Sequence, residues 1–108
     1  MKLMIAIPTY DYMHFQFVEC LTKLIRRLDE DGIDFEVIYQ GGTLVYVGRD
    51  RLAKMAIDRG FSHILWLDSD MIFAPDTMER LYKHMQLHDI VTGLYFRRRP
   101  PFTPVIFK

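Results

Sequence analysis

The sequence predicts an α/β fold, a mostly parallel β-sheet sandwiched between helices in three layers. Three observations carry that prediction. Short apolar runs alternate along the chain with segments whose apolar residues recur at helical spacing. The helical segments end on Asp31-Gly32 and Arg59-Gly60, pairs that stop a helix and turn the chain back. The first run, residues 2–7, is nearly all apolar, as in a strand covered on both faces, rather than alternating as in a half-wetted antiparallel strand. The resulting order β-α-β-α-β-α-β implies right-handed crossovers and a Rossmann-like half.

Each element follows from its own residues. The first strand is closed by Pro8, and Asp11 is placed to cap the helix that follows. Phe15, Val18, Leu21, Thr22, Ile25 and Leu28 recur on one face of that helix, which spans about five turns. Residues 35–39 form a second β-rich run ended by Gly41-Gly42. Leu52, Met55 and Ala56 mark a second helix, and residues 63–67 a third strand. Pro75 suits the first turn of a third helix with Met78, Leu81, Tyr82 and Met85 on its apolar face. Residues 89–96 read as a fourth strand. Beyond it Arg97-Arg98-Arg99-Pro100-Pro101 cannot continue a central strand, and residues 104–107 are a last β-like stretch.

At 108 residues, half of them apolar, the chain is expected to be one domain with a modest core. Fourteen basic residues balance fourteen acidic ones, so no global field draws it to nucleic acid or to an anionic membrane, and electrostatic function must be local. A single cysteine, Cys20, allows neither an internal disulfide nor a cysteine-based zinc site, which points to a reducing, cytoplasmic setting. No stretch has the roughly 18 to 20 apolar residues of a membrane span.

The chemistry concentrates in HILWLDSDMIFAP, residues 63–75, where an apolar run ends in Asp68-Ser69-Asp70. Open α/β sheets keep their ligands outside the carboxyl ends of their strands, which is where this pair falls. If the strand stayed regular, both carboxylates would share one side about 7 Å apart; in a turn they would converge. Two hard oxygen ligands suit Mg²⁺ or Mn²⁺, because magnesium takes one or two protein carboxylates and fills its shell with water and phosphate oxygens. The plainer alternative is an Asx-rich loop that caps the next helix. An EF-hand fails on spacing: with Asp68, Asp70 and Glu79 at positions 1, 3 and 12, the sharp-turn position holds Phe73 and the fifth holds Ile72. A haloacid-dehalogenase-like aspartate-dependent phosphatase, with Asp68 as nucleophile, is the alternative enzyme. Its motif usually continues with Gly-Thr after the first strand, whereas Met71-Ile72 follows here, on the third.

Three stretches in register, AIPTY (residues 6–10), GRDRLA (48–53) and ILWLDSD (64–70), resemble the nucleotide-sugar half of GT-A-fold glycosyltransferases, particularly the family 2-like group. The resemblance covers the chain to about residue 96. It implies a single GT-A-like nucleotide-sugar-binding domain over residues 1–108 that stops before an acceptor-binding half. It further implies transfer of a sugar from a nucleoside diphosphate to a saccharide, lipid or protein acceptor, assisted by Mn²⁺ or Mg²⁺. Residue by residue, Pro8, Thr9 and Tyr10 would lie along base and ribose, and Arg49 near the nucleotide. Asp68 would face the ribose or a metal-bound water, and Asp70 the metal bridging the diphosphate. The chain departs from the pattern where the second strand commonly ends in a base-reading Asp, since Gln40 stands there, and where Asn often follows the arginine, since Asp50 does. No general base is evident after Asp89, so the isolated chain is expected to bind nucleotide without transfer, a non-catalytic module. A half-domain would also leave apolar surface, so association with a second copy is expected.

The remaining candidates have plainer readings. Arg97, Arg98 and Arg99 would suit phosphate but fit a solvated turn. His84 and His88 have metal-sharing spacing but lack the Glu of a zinc-protease motif, and solvent-facing histidines are the simpler reading. His14 stands near the start of the first helix, where it would approach a ligand or lie on the surface. Trp66 and the third-helix methionines read as core, and Cys20 as an inert small hydrophobe.

Overall fold

The computed structural model describes residues 1–9, 12–42, 45–85, 95–96 and 104–105. Met1–Asp76 form one compact unit and Thr77–Lys108 a second. The first contains β1 (Lys2–Pro8), α1 (Phe15–Glu30), β2 (Asp34–Gln40), α2 (Val45–Asp58) and β3 (His63–Trp66). The second contains α3 (Thr77–Met85), β4 (Tyr95–Phe96) and β5 (Pro104–Val105).

The three strands of the first unit form a parallel sheet in the order β2-β1-β3. Central β1 pairs along its whole length with β2, Lys2 opposite Asp34 and Pro8 opposite Gln40, and from Leu3 to Ala6 with β3. Two hydrogen bonds carry the ladders past the strand ends: Thr9 N–H donates to the Gln40 carbonyl (2.9 Å) and Leu67 N–H to that of Ala6 (3.0 Å). Leu3 to Ile7 are fully buried, as the unbroken apolar run predicts.

Alternation divides this core into two faces. Met4 and Ala6 pack with Leu52 and Ala56 of α2, and Ile38, Met55, Phe61, Ile64 and Trp66 close round them. Leu3, Ile5 and Ile7 point the other way, level with buried Leu65. The chain runs outward from β1 to β2 and then back past β1 to β3, so right-handed crossovers set α1 and α2 on opposite faces. The apolar stripe of α1 is Phe17, Leu21, Leu24 and Leu28. This corrects the stripe that began at Phe15 and Val18: Phe15 is 68% exposed and Phe17 wholly buried, although Leu21 and Leu28 stand as expected. A single turn offers apolar residues on neighbouring faces, and the angle at which the chain leaves β1 selects among them.

Both helices of the first unit end as their sequences predict. At α1, Gly32 N–H donates to the Asp29 carbonyl and Ile33 N–H to that of Leu28; at α2, Gly60 donates to Ile57 and Phe61 to Ala56. Both are Schellman motifs, with Gly32 and Gly60 at φ near +70° where other residues are strained. The start of α1 is less conventional. His14 is its N-cap and makes no side-chain capping bond, while Asp11, the expected cap, lies outside the described residues.

In the second unit α3 starts at Thr77, two residues after Pro75, which sits in a turn. Met78 is buried, Leu81 and Met85 are half-buried, and Tyr82 is exposed. Of the expected fourth strand, Tyr95–Phe96 is described, and it pairs antiparallel with Pro104–Val105; the remainder of residues 89–96 lies outside the described residues. None of the described helices is long and apolar enough to cross a membrane.

Candidate functional site

The sheet changes direction at β1, so the carboxyl ends of β1 and β3 flank the topological switch point, the position at which open α/β sheets bind ligands. Pro8 ends β1, Gln40 ends β2, and Asp68 follows β3 by two residues. All three therefore stand at one edge of the sheet.

The amino-terminal part of α2 joins them because Gly48 has no side chain. A Cβ there would meet Gln40 Cγ at 3.2 Å and the Cβ atoms of Gln40 and Pro8 at 3.8 Å, so the helix rests directly on the ends of β1 and β2. Arg49, the next residue, reaches across to the third strand. Its Nη2 lies 2.7 Å from Asp68 Oδ1, and its guanidinium carbon is 5.5 Å from the centre of the Trp66 ring. Alternation explains the meeting: Ile64 and Trp66 lie on the α2 face of β3, and Asp68 continues that side. Each side chain of the ion pair is 42% exposed, so the pair holds geometry more than stability, worth about 1 kcal/mol or less.

Past Asp68 the strand geometry ends. Met71 N–H donates to the Asp68 carbonyl at 3.2 Å, closing a turn with Ser69 and Asp70 at its centre, while the Met71 sulfur accepts from Asp68 N–H at 3.1 Å. The two carboxylates thus belong to a turn and not to an extended strand, and Asp70 is exposed. The Ser69 carbonyl accepts from His14 N–H at 3.0 Å, which ties this turn to the start of α1. Beside that tie, the Phe73 and Phe17 rings meet in an edge-to-face arrangement, 6.0 Å between their centres. On the β1 side, Thr9 Oγ1 donates to the Tyr12 carbonyl at 2.9 Å and so shapes the loop leaving the strand.

The structure thus gathers Pro8, Thr9, Gln40, Arg49 and Asp68 at one edge, with Asp70 two residues beyond. Tyr10 lies outside the described residues, as do Arg97, Arg98, Arg99 and His88. Three contributors escaped sequence reasoning: the close approach at Gly48, the Met71 sulfur behind Asp68, and the His14 backbone. A glycine in the opening turns of a helix was a signal for the first; the others depend on the turn itself. Trp66 is half-buried against the α2 core, as expected, and His84 is exposed.

Divalent-cation chemistry fits this donor set within limits. Among the described residues no three of His, Cys, Asp and Glu gather round one point, so these residues by themselves form no closed metal cage. Two carboxylates in a turn are the complement magnesium or manganese needs when a diphosphate supplies further oxygens. Compared with known proteins, the chain matches no family model, and no curated protein or solved structure is significantly similar to it.

Proposed function

We propose that this chain is a nucleotide-sugar-binding domain of the GT-A type, in which the edge formed by β1, β3 and the start of α2 holds a nucleoside-diphosphate sugar for transfer to an acceptor hydroxyl. The observation that carries the reading is the Arg49–Asp68 ion pair at the switch point, with Asp70 in the same turn. A guanidinium paired with one carboxylate, with a second carboxylate two residues on in the same turn, offers opposite charges to the two things that must be held together, phosphates and a cation.

In this reading the backbone at Pro8 and Thr9 and the side chain of Gln40 flank the nucleoside. Gln40 offers an amide for a base edge where a carboxylate is common, so uracil and guanine remain distinguishable by experiment rather than by residue type. Arg49 binds phosphate oxygens through its planar fork. Asp68 and Asp70 hold Mn²⁺ or Mg²⁺, which when bound supplies Lewis-acid stabilisation of the departing diphosphate. A phosphatase would require Asp68 to act as a nucleophile, and its pairing with Arg49 draws charge away from the attacking oxygen. Beryllofluoride labelling of Asp68 separates the two chemistries.

Isothermal titration with uridine and guanosine diphosphates, with and without Mn²⁺, tests the proposal. One of them should bind in the presence of Mn²⁺, and Asp70→Ala should weaken that binding by about tenfold or more, as loss of a metal contact does. Binding that ignores both Mn²⁺ and Asp70 removes the mechanism. Nucleotide binding without transfer to a panel of acceptors identifies a binding module.

A further inference from the structure

Arg49 is suited to phosphate by its chemistry and engaged with Asp68 by its position. The Nη2–Oδ1 distance of 2.7 Å is that of a charge-assisted hydrogen bond, so the guanidinium already neutralises the carboxylate. A divalent cation approaching Asp68 meets that positive charge, and a diphosphate approaching Arg49 meets the carboxylate. Either ligand alone has to compete with a partner. Both together offer each group a replacement, phosphate oxygens for Arg49 and a cation for Asp68.

We propose that Arg49 and Asp68 form an exchangeable counter-ion pair, in which Arg49 occupies Asp68 until a nucleoside diphosphate draws the guanidinium onto its phosphates and releases the carboxylate to the cation. The inference rests on the function proposed above and adds a role in ordering ligand entry. Two features of the pair suit exchange. Each side chain is 42% exposed, so neither charge is stranded in a dry interior while partners change. The guanidinium also lies over the Trp66 ring, a second attachment that keeps it at the site when it leaves Asp68. The consequence is reciprocal: nucleotide tightens cation binding by the same factor as cation tightens nucleotide binding, and part of that factor resides in this pair.

Two variants, each read with a single ligand, separate exchange from a fixed strut. Mn²⁺ binding without nucleotide, followed by electron paramagnetic resonance of the free ion, should be roughly two- to fivefold tighter in Arg49→Met than in the wild type, the range expected of a half-exposed pair. Uridine or guanosine diphosphate binding without metal, measured by titration calorimetry, should be tighter by a similar factor in Asp68→Asn. A strut that merely orients Asp68 gives the opposite sign in the first measurement, because its removal leaves the carboxylate loose. Affinity unchanged or weakened in either arm overturns the exchange. Thermal unfolding accompanies both variants, and the near-isosteric Asp68→Asn decides the matter if Arg49→Met does not fold. Failure of the wild type to bind either nucleotide with Mn²⁺ overturns the proposed function itself, whereas binding with unshifted variants overturns the exchange alone.

Discussion

Gly48 and Trp66 show how single side chains shape the proposed site. An alanine at position 48 would gain helix propensity, up to about 1 kcal/mol, and press only on Gln40 Cγ, the movable part of a half-buried side chain. Gly48→Ala should therefore unfold in urea within about 1 kcal/mol of the wild type. Gly48→Val, whose branches must also pass Pro8, should lose about 1–3 kcal/mol as overpacked sites do. Equal stability of the two would mean that α2 does not rest on the strand ends. Trp66 is the sole tryptophan and lies beneath the Arg49 guanidinium, so its fluorescence reports on that group. Nucleoside diphosphate with Mn²⁺ should change its intensity, and Arg49→Met should abolish most of the change.

At the scale of elements, α1 shows where the sequence was readable and where it was not. Its existence and its end followed from apolar periodicity and Asp31-Gly32, because a helix needs a covered stripe and an αL residue to leave by. Its buried face did not follow, since Phe15 and Phe17 are equally apolar and only the tertiary approach chooses between them. Phe17→Ala should cost about 3–5 kcal/mol in urea denaturation and Phe15→Ala less than about 0.5 kcal/mol. The glycines that close the helices make a second test. Nothing lies within 4 Å of a Cβ added at Gly32 or Gly60, yet both have positive φ, so Gly32→Ala and Gly60→Ala should each lose about 1 kcal/mol from backbone strain alone. The DSD segment divides the same way. Its place after an apolar strand was legible from the abrupt change in polarity. The Met71-to-Asp68 turn and the His14 tie were not, because both are backbone contacts made by residues of unremarkable type.

For the whole molecule, the alternation of strands and helices was enough to foresee a mostly parallel sheet, since strands joined through helices return in the same direction, whereas the order β2-β1-β3 was not legible because alternation does not say on which side of β1 the third strand is added. The pairing of Tyr95–Phe96 with Pro104–Val105 was not foreseeable, because two-residue strands carry no periodicity. A strand bonded on both sides and buried on both faces opens last, so amide exchange should be slowest from Met4 to Ile7 and faster in β2, whose residues are half-buried or exposed. The proposed ligand site has one location, the carboxyl edge of the sheet between β1 and β3. Paramagnetic broadening of backbone amide signals by Mn²⁺ in the presence of uridine or guanosine diphosphate reads that location directly. Signals of Thr9 and Ser69 should broaden first and those of Ser62 and His63, at the opposite end of β3, last; broadening centred on Ser62 and His63, or none at any amide of the sheet, would contradict it.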